Sequence, residues 1–175
     1  MKLPVPFYSQ YCDVSDPQWQ RRACGITCLK MALDFSAPKD VLIPDIDTLI
    51  QRGVEMNAFG EHGWIHDQLV HLARNHGVHA YREEYRSFAD LLAQRLIQGG
   101  LQKIIKTIEE GKPVIVSVEK GFEPSDKFHQ VIIVGYENGA FLYHDPETPN
   151  DSGTYLSIPI ENFLPHWRHL AIFVG

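Results

Sequence analysis

The sequence predicts an α+β fold, with helices first and an antiparallel sheet after them. Three observations carry this. Apolar residues recur at helical spacing through most of the first two-thirds of the chain. The last third changes to short β-branched runs. Between two of those runs sits Asn138-Gly139, a pair that favours a tight hairpin. The chain has 175 residues, of which 44% are hydrophobic. That is enough for a core of its own, so residues 1–175 are expected to form a single domain.

The elements follow in order. Cys24, Thr27, Cys28, Met31, Ala32 and Phe35 fall on one helical face, predicting a helix from Ala23 to Phe35 with Pro38 beyond its end. A shorter helix is expected over Asp45 to Arg52, stopped by Gly53. A third runs from Trp64 to Asn75, with Gly77 just past its end. Ser87-x-x-Asp90 has the form of a capping box and opens a fourth, stopped by Gly99-Gly100. A fifth spans Leu101 to Glu110, before Gly111 and Pro113. Strands are then expected at 114–118, 129–136, 140–145, 154–158 and 170–174.

Composition excludes several classes of function. The net charge is −6 and the basic residues are scattered, so no nucleic-acid-binding face is expected. No apolar run approaches the roughly 18–20 residues that span a bilayer. The start, Met1-Lys2-Leu3-Pro4, lacks the features of a signal peptide, and a cytoplasmic location is expected for the chain as given. Three cysteines are too few for a disulfide framework and suit a reducing compartment.

Cys24 opens the strongest predicted helix and is followed by Gly25. A helix N-terminus offers unpaired N–H groups and partial positive charge, both of which stabilise a thiolate. The plain alternative is a small buried residue at a helix start. His129 and Asp145 lie on the two strands of the expected hairpin, at the same end of the ladder. A histidine base needs such an acid to orient it. Singly, His129 also reads as a strand-end residue, and Asp145 as a turn residue before Pro146. Asp126 and His144 compete for the same roles, although His144 and Asp145 cannot share a face of a regular strand. Gln10, in the extended segment Val5-Pro6-Phe7-Tyr8-Ser9-Gln10, offers an amide donor for an oxyanion, with the Cys24 N–H as the second. Cys28 reads as core and Cys12 as incidental. Trp19, Trp64 and Trp167 read as core or cleft wall. The loop Glu123-Pro124-Ser125-Asp126 reads as surface, with the alternative that it covers a cleft.

Five histidines, His62, His66, His71, His76 and His79, fall in one stretch. His62 and His66 have ligand-compatible spacing, but Gly63 lies between them. There is no His-Glu-x-x-His and no Cys-x-x-Cys. Most of these histidines are read as surface residues of the third helix and its loop. No metal and no other cofactor is expected.

Four blocks together resemble a known family: Val5-Pro-Phe-Tyr-Ser-Gln10, Ala23-Cys-Gly-Ile-Thr-Cys-Leu-Lys-Met31, His129-Gln-Val-Ile-Ile-Val-Gly-Tyr136 and Tyr143-His-Asp-Pro146. In order and content they are similar to papain-like cysteine peptidases related to the bacteriocin leader-processing (double-glycine) peptidases, in particular the stand-alone members. The resemblance implies a helical lobe carrying the cysteine, a β lobe carrying the histidine, and a cleft between. It implies Cys24 as nucleophile, His129 as base, Asp145 as its orienting acid and Gln10 in the oxyanion hole. The expected function is a cysteine peptidase or amide hydrolase that forms a thioester acyl-enzyme on a peptide or other amide-containing substrate. A thiol acyltransferase on the same residues, or a non-enzymatic peptide-binding module of the same fold, are the alternatives. The sequence carries no sign of oligomeric state.

Overall fold

The computed structural model describes residues 1–175. Its elements are α1 (Pro17–Gln20), α2 (Cys24–Ser36), α3 (Ile46–Glu55), β1 (Phe59–Gly60), β2 (Gly63–Trp64), α4 (His66–Asn75), β3 (Ala80–Glu84), α5 (Asp90–Glu109), β4 (Val114–Glu119), β5 (Phe128–Glu137), β6 (Ala140–His144), β7 (Leu156–Pro159), α6 (Ile160–Phe163) and β8 (Trp167–Val174). Strands β3-β8-β4-β5-β6-β7 form a six-stranded sheet in that order, antiparallel throughout. The fold is α+β, as expected. No helix is long and apolar enough to cross a membrane.

Helix α2 is the centre of the molecule. Nine successive residues, Gly25 to Leu33, are buried, so this helix has no broad solvent face and is covered on several sides. It lies against β5, where the Cys28 thiol donates to the Gln130 carbonyl at 3.4 Å. Buried side chains of the helices and the sheet form one contiguous apolar cluster. The chain start is tied to β5 as well. Leu3 N–H donates to Val134 O at 2.8 Å, and Tyr136 N–H to Met1 O at 2.9 Å. This anchors the extended segment that leads to Gln10.

Several expectations need correction. The fourth and fifth helices are one 20-residue helix, α5, which runs straight through Gly99-Gly100. Gly53 likewise lies inside α3 rather than at its end. The physical reason is the same in both places. A Cβ on Gly53 would stand 2.5 Å from the Trp64 ring, and one on Gly100 would stand 2.7 Å from Tyr85 and 2.8 Å from Trp167. Each glycine lets an aromatic ring lie on the helix backbone, and helical hydrogen bonding continues past it. Ser87 does not cap α5. Its Oγ accepts from Ala89 N–H in a local turn, and Ala89 is the cap residue, without a side-chain bond. Strand β3, unforeseen, comes from between α4 and α5 and forms one edge of the sheet. The last strand begins at Trp167, earlier than expected, and residues 154–155 lie outside β7.

The hairpin of β5 and β6 has the expected turn, with Asn138 at φ 51° and Gly139 at φ 77°. It also has an irregularity that decides the site. Glu137 pairs with Ala140, Tyr136 with Phe141 and Gly135 with Leu142, but then Ile133 pairs with Tyr143 and Ile132 with His144. Val134 is an extra residue, a β-bulge. Were Val134 paired with Tyr143 in a regular ladder, His144 would stand opposite Ile133, on the face that carries His129. The one-residue shift exchanges the faces. Asp145 then shares the side of His129, and His144 turns into the core.

Candidate active site

Cys24 is the first residue of α2, and Ala23 before it supplies no side-chain cap. The first turn holds no acidic residue. The unpaired N–H groups and partial positive charge of this helix end therefore fall on the cysteine alone. Gly25 follows because Gln130 and Trp64 close in from either side. A Cβ there would meet Gln130 Oε1 at 2.9 Å and Trp64 Cβ at 3.1 Å. The Trp64 indole N–H donates to Arg22 O at 2.7 Å, holding the loop just before the cysteine. Cys24 is half-buried, Cys28 one turn later is buried, and Cys12 is exposed; all three are free thiols. Burial pushes the Cys28 thiol well up, with the negative charges of Cys24 and Asp145 adding to it. It stays protonated and acts as a core side chain.

His129 is buried near the start of β5, and its Nε2 is 2.8 Å from Asp145 Oδ1. Asp145 Oδ1 also accepts from the Glu147 N–H at 2.9 Å. Burial alone would lower the His129 pKa. The hydrogen bond to Asp145 and the neighbouring Cys24 thiol outweigh it and push the value up to about 10. Burial works against the Asp145 charge too, but His129 and the Glu147 N–H hold its carboxyl below the usual value. At neutral pH the two form an imidazolium–carboxylate pair. With Nε2 taken by Asp145, Nδ1 is the nitrogen left to serve Cys24.

Gln10 is almost fully buried, yet its Oε1 has no protein partner. Its backbone N–H donates to Pro146 O at 2.8 Å, which ties it to the loop carrying Asp145. The unpaired Oε1 is an acceptor, as an oxyanion would be, so only the N–H end of the Gln10 amide can donate to a substrate oxygen. Gln10, Cys24 and His129 line the same cavity, of about 680 Å³. The structure thus brings the four residues singled out from the sequence together, with Asp145 behind His129. The competitors lie elsewhere. His144 is buried in the core, its Nε2 donating to Val5 O at 3.1 Å and its Nδ1 accepting from Tyr155 N–H at 3.0 Å. Asp126 lines the outer cleft but has no bond to His129.

The cleft has two arms. The second, of about 480 Å³, also borders Cys24 and His129 and is walled by Phe59, Trp64 and the glycines Gly60 and Gly63. The first is polar, with Tyr11, Lys120 and Glu147 in its wall. His62, in the β1–β2 turn, and Phe128, at the start of β5, approach to 6.0 Å between ring centroids at the boundary of the arms. The loop read as surface therefore contributes to the cleft through Asp126, and the residues after it through Lys127 and Phe128. Sequence reasoning missed Glu147, Lys120, Tyr11 and Arg21. Nothing in their local pattern marks them, because they converge only through sheet register and the path of the N-terminal segment.

The histidine-rich stretch is only partly surface. His76 is buried at the end of α4, donating from Nδ1 to Leu72 O and accepting at Nε2 from Arg52, both at 2.8 Å. It is a structural residue that joins α3 to α4.

Comparison with known proteins adds a family. The model of the Peptidase_C39 like family matches residues 2–171. No curated protein matches the chain. Among solved structures, one described as a C39-like peptidase from Bacillus anthracis is 18% identical, with a TM-score of 0.69 over 100% of this chain and 98% of that one. The peptidase domain of Streptococcus ComA, a bifunctional ABC transporter of a quorum-sensing pathway, is 19% identical, with a TM-score of 0.61 over 89% and 92%. A double-glycine-motif protease from an AMS/PCAT transporter, solved with its leader peptide, is 17% identical, with a TM-score of 0.59 over 99% and 92%.

Proposed function

The chain belongs to the Peptidase_C39 like family and is a papain-like cysteine peptidase; from that premise we propose that it hydrolyses a peptide or other amide bond through Cys24, His129 and Asp145, with Gln10 in the oxyanion hole. The observation that carries this reading is the division of labour on His129. Asp145 holds Nε2, so Nδ1 is free to exchange a proton with a cysteine placed at an uncapped helix end. Both arms of the cleft border that pair.

The steps follow from this geometry. The Cys24 thiolate attacks the carbonyl carbon while His129 holds the proton on Nδ1. The negative oxygen is met by the Gln10 amide and the Cys24 N–H, and one such donor typically contributes about 10²–10³ in rate. His129 passes its proton to the leaving nitrogen, the C–N bond breaks, and a thioester remains on Cys24. Water then attacks the thioester as His129 takes its proton. The acid leaves and the Cys24–His129 pair is restored. Asp145 keeps the ring oriented throughout. A peptide substrate is supported by the relative solved with a leader peptide, and by two adjoining cavities that both border Cys24. Three free thiols suit work in a reducing compartment such as the cytoplasm.

The test is digestion of a mixed peptide library by the wild type and Cys24→Ala, with products read by mass spectrometry. The expected result is a set of cleavages present with wild type and absent with Cys24→Ala, together with a thioester-sized mass on Cys24 after rapid acid quench. Equal cleavage by both proteins would overturn the proposal.

A further inference from the structure

The cleft holds an acid that the proposed mechanism does not use. Glu147 lies two residues past Asp145, and its side chain is only 17% exposed. Its Oε1 accepts from Lys120 Nζ at 2.7 Å and from the Tyr11 hydroxyl at 3.2 Å. Its Oε2 stands 3.7 Å from His129 Nδ1, the nitrogen that Asp145 leaves open. Tyr11 directly follows Gln10. That segment is bonded to the Glu147 loop twice more, through Gln10 N–H to Pro146 O at 2.8 Å and Ser9 Oγ to Thr148 O at 2.5 Å.

As a surface ion pair, Lys120–Glu147 would contribute little to stability, since Lys120 is 46% exposed. Its location gives it another consequence. A carboxylate this close to the ring favours the imidazolium and opposes a thiolate nearby, while Lys120 offsets part of that field. The same carboxylate grips the residue next to Gln10. We propose that Glu147 is a positioning residue of the reaction, balanced by Lys120, that sets the charge state of the Cys24–His129 pair and holds Gln10 in place through Tyr11. This inference rests on the assignment of Cys24 and His129 as nucleophile and base.

The other charged or titratable groups around His129 are Cys24, from the start of α2, and Asp145, on the far side of the ring. Cys28 and Tyr143 lie near Asp145, and burial keeps both protonated. Arg21, Glu61, His62, Asp126 and Lys127 line the outer cleft. None of these changes in the variants below.

The experiment is the pH profile of Cys24 alkylation by iodoacetamide, resolved by peptide mapping, in wild type, Glu147→Gln, Lys120→Met and Tyr11→Phe. Loss of the Glu147 charge makes the thiolate easier to form, so the midpoint moves to lower pH by about one unit. Lys120→Met moves it the other way. Tyr11→Phe removes a hydrogen bond without removing charge and leaves the midpoint in place. Unmoved midpoints in both charge variants would overturn the inference. So would a Tyr11→Phe shift as large as that of Glu147→Gln, since loop displacement would then be the cause. A wild-type profile indifferent to His129→Ala would instead sink the underlying assignment. A profile that responds to His129 and ignores Glu147 sinks only the role of Glu147.

Discussion

The two halves of the site are held by different kinds of structure. Cys24 owes its position to local geometry, the first turn of a 13-residue helix whose next nine residues are buried. The His129–Asp145 pair owes its position to register across a hairpin, and within that to the single extra residue Val134. A helix start is fixed by a few neighbouring residues. A strand face is fixed by every pairing between the turn and the residue in question. Cys24 is therefore robust to change elsewhere, whereas His129 and Asp145 depend on one bulge.

The largest effects remove the two partners. Cys24→Ala and His129→Ala are each expected to reduce turnover of a library-identified peptide by about 10⁴-fold or more, with the fold retained by circular dichroism. Retained activity in Cys24→Ala would break the comparison at its first half. Inserting one alanine between Tyr143 and His144 tests the second half. The shifted register would set His144 opposite Val131 and Asp145 opposite Gln130, turning Asp145 away from His129, so the insertion should cost more activity than Asp145→Asn, which keeps shape and part of the hydrogen bonding and is expected to lose about 10²-fold. Steady-state assays of the two variants side by side, with a thermal melt of each, decide this. An insertion variant as active as wild type would show that the strand register does not set the site.

Legibility in the sequence divides along the same line. Cys24, Gly25 and the helix behind them could be read from apolar spacing. The Asn138-Gly139 turn was legible too, and so was the proximity of His129 and Asp145. The bulge was not, because Val134 sits in a run of β-branched residues that gives no sign of which one is unpaired. A regular ladder would have favoured His144. Gly53 and Gly100 misled for a related reason. A glycine that ends a helix and one that admits an aromatic ring look alike until Trp64, Tyr85 and Trp167 arrive from distant parts of the chain. Glu147 and Tyr11 carried no signal at all, since their meeting depends on the N-terminal segment crossing the sheet.

Smaller effects concern stability. Gly53→Ala and Gly100→Ala should destabilise by about 1–3 kcal/mol through overpacking, although alanine is the better helix former. Urea melts check this, and a stabilising Gly100→Ala would show that the Tyr85 and Trp167 rings leave room for a Cβ. The buried pair should also leave a pH signature. His129 has its pKa raised from 6.5 to about 10, so its contribution is full below pH 6.5 and fades toward pH 10. Asp145 is lowered from 3.8, so its contribution is present above that pH and is lost as acid protonates the folded carboxylate. The Tm gap between wild type and His129→Gln should accordingly be widest between these limits and shrink toward pH 10. A gap that widens as pH rises from 6.5 to 10 would contradict the pairing.

The central claim is that the helix-held cysteine and the bulge-set histidine act as one coupled pair. Its most direct test is the rate of alkylation at each of Cys12, Cys24 and Cys28 between pH 4 and 10, in wild type and His129→Ala. The account predicts a Cys24 that reacts at mildly acid pH, far ahead of the exposed Cys12, and loses that advantage when His129 is removed. A Cys24 that follows the Cys12 profile in both proteins would contradict it.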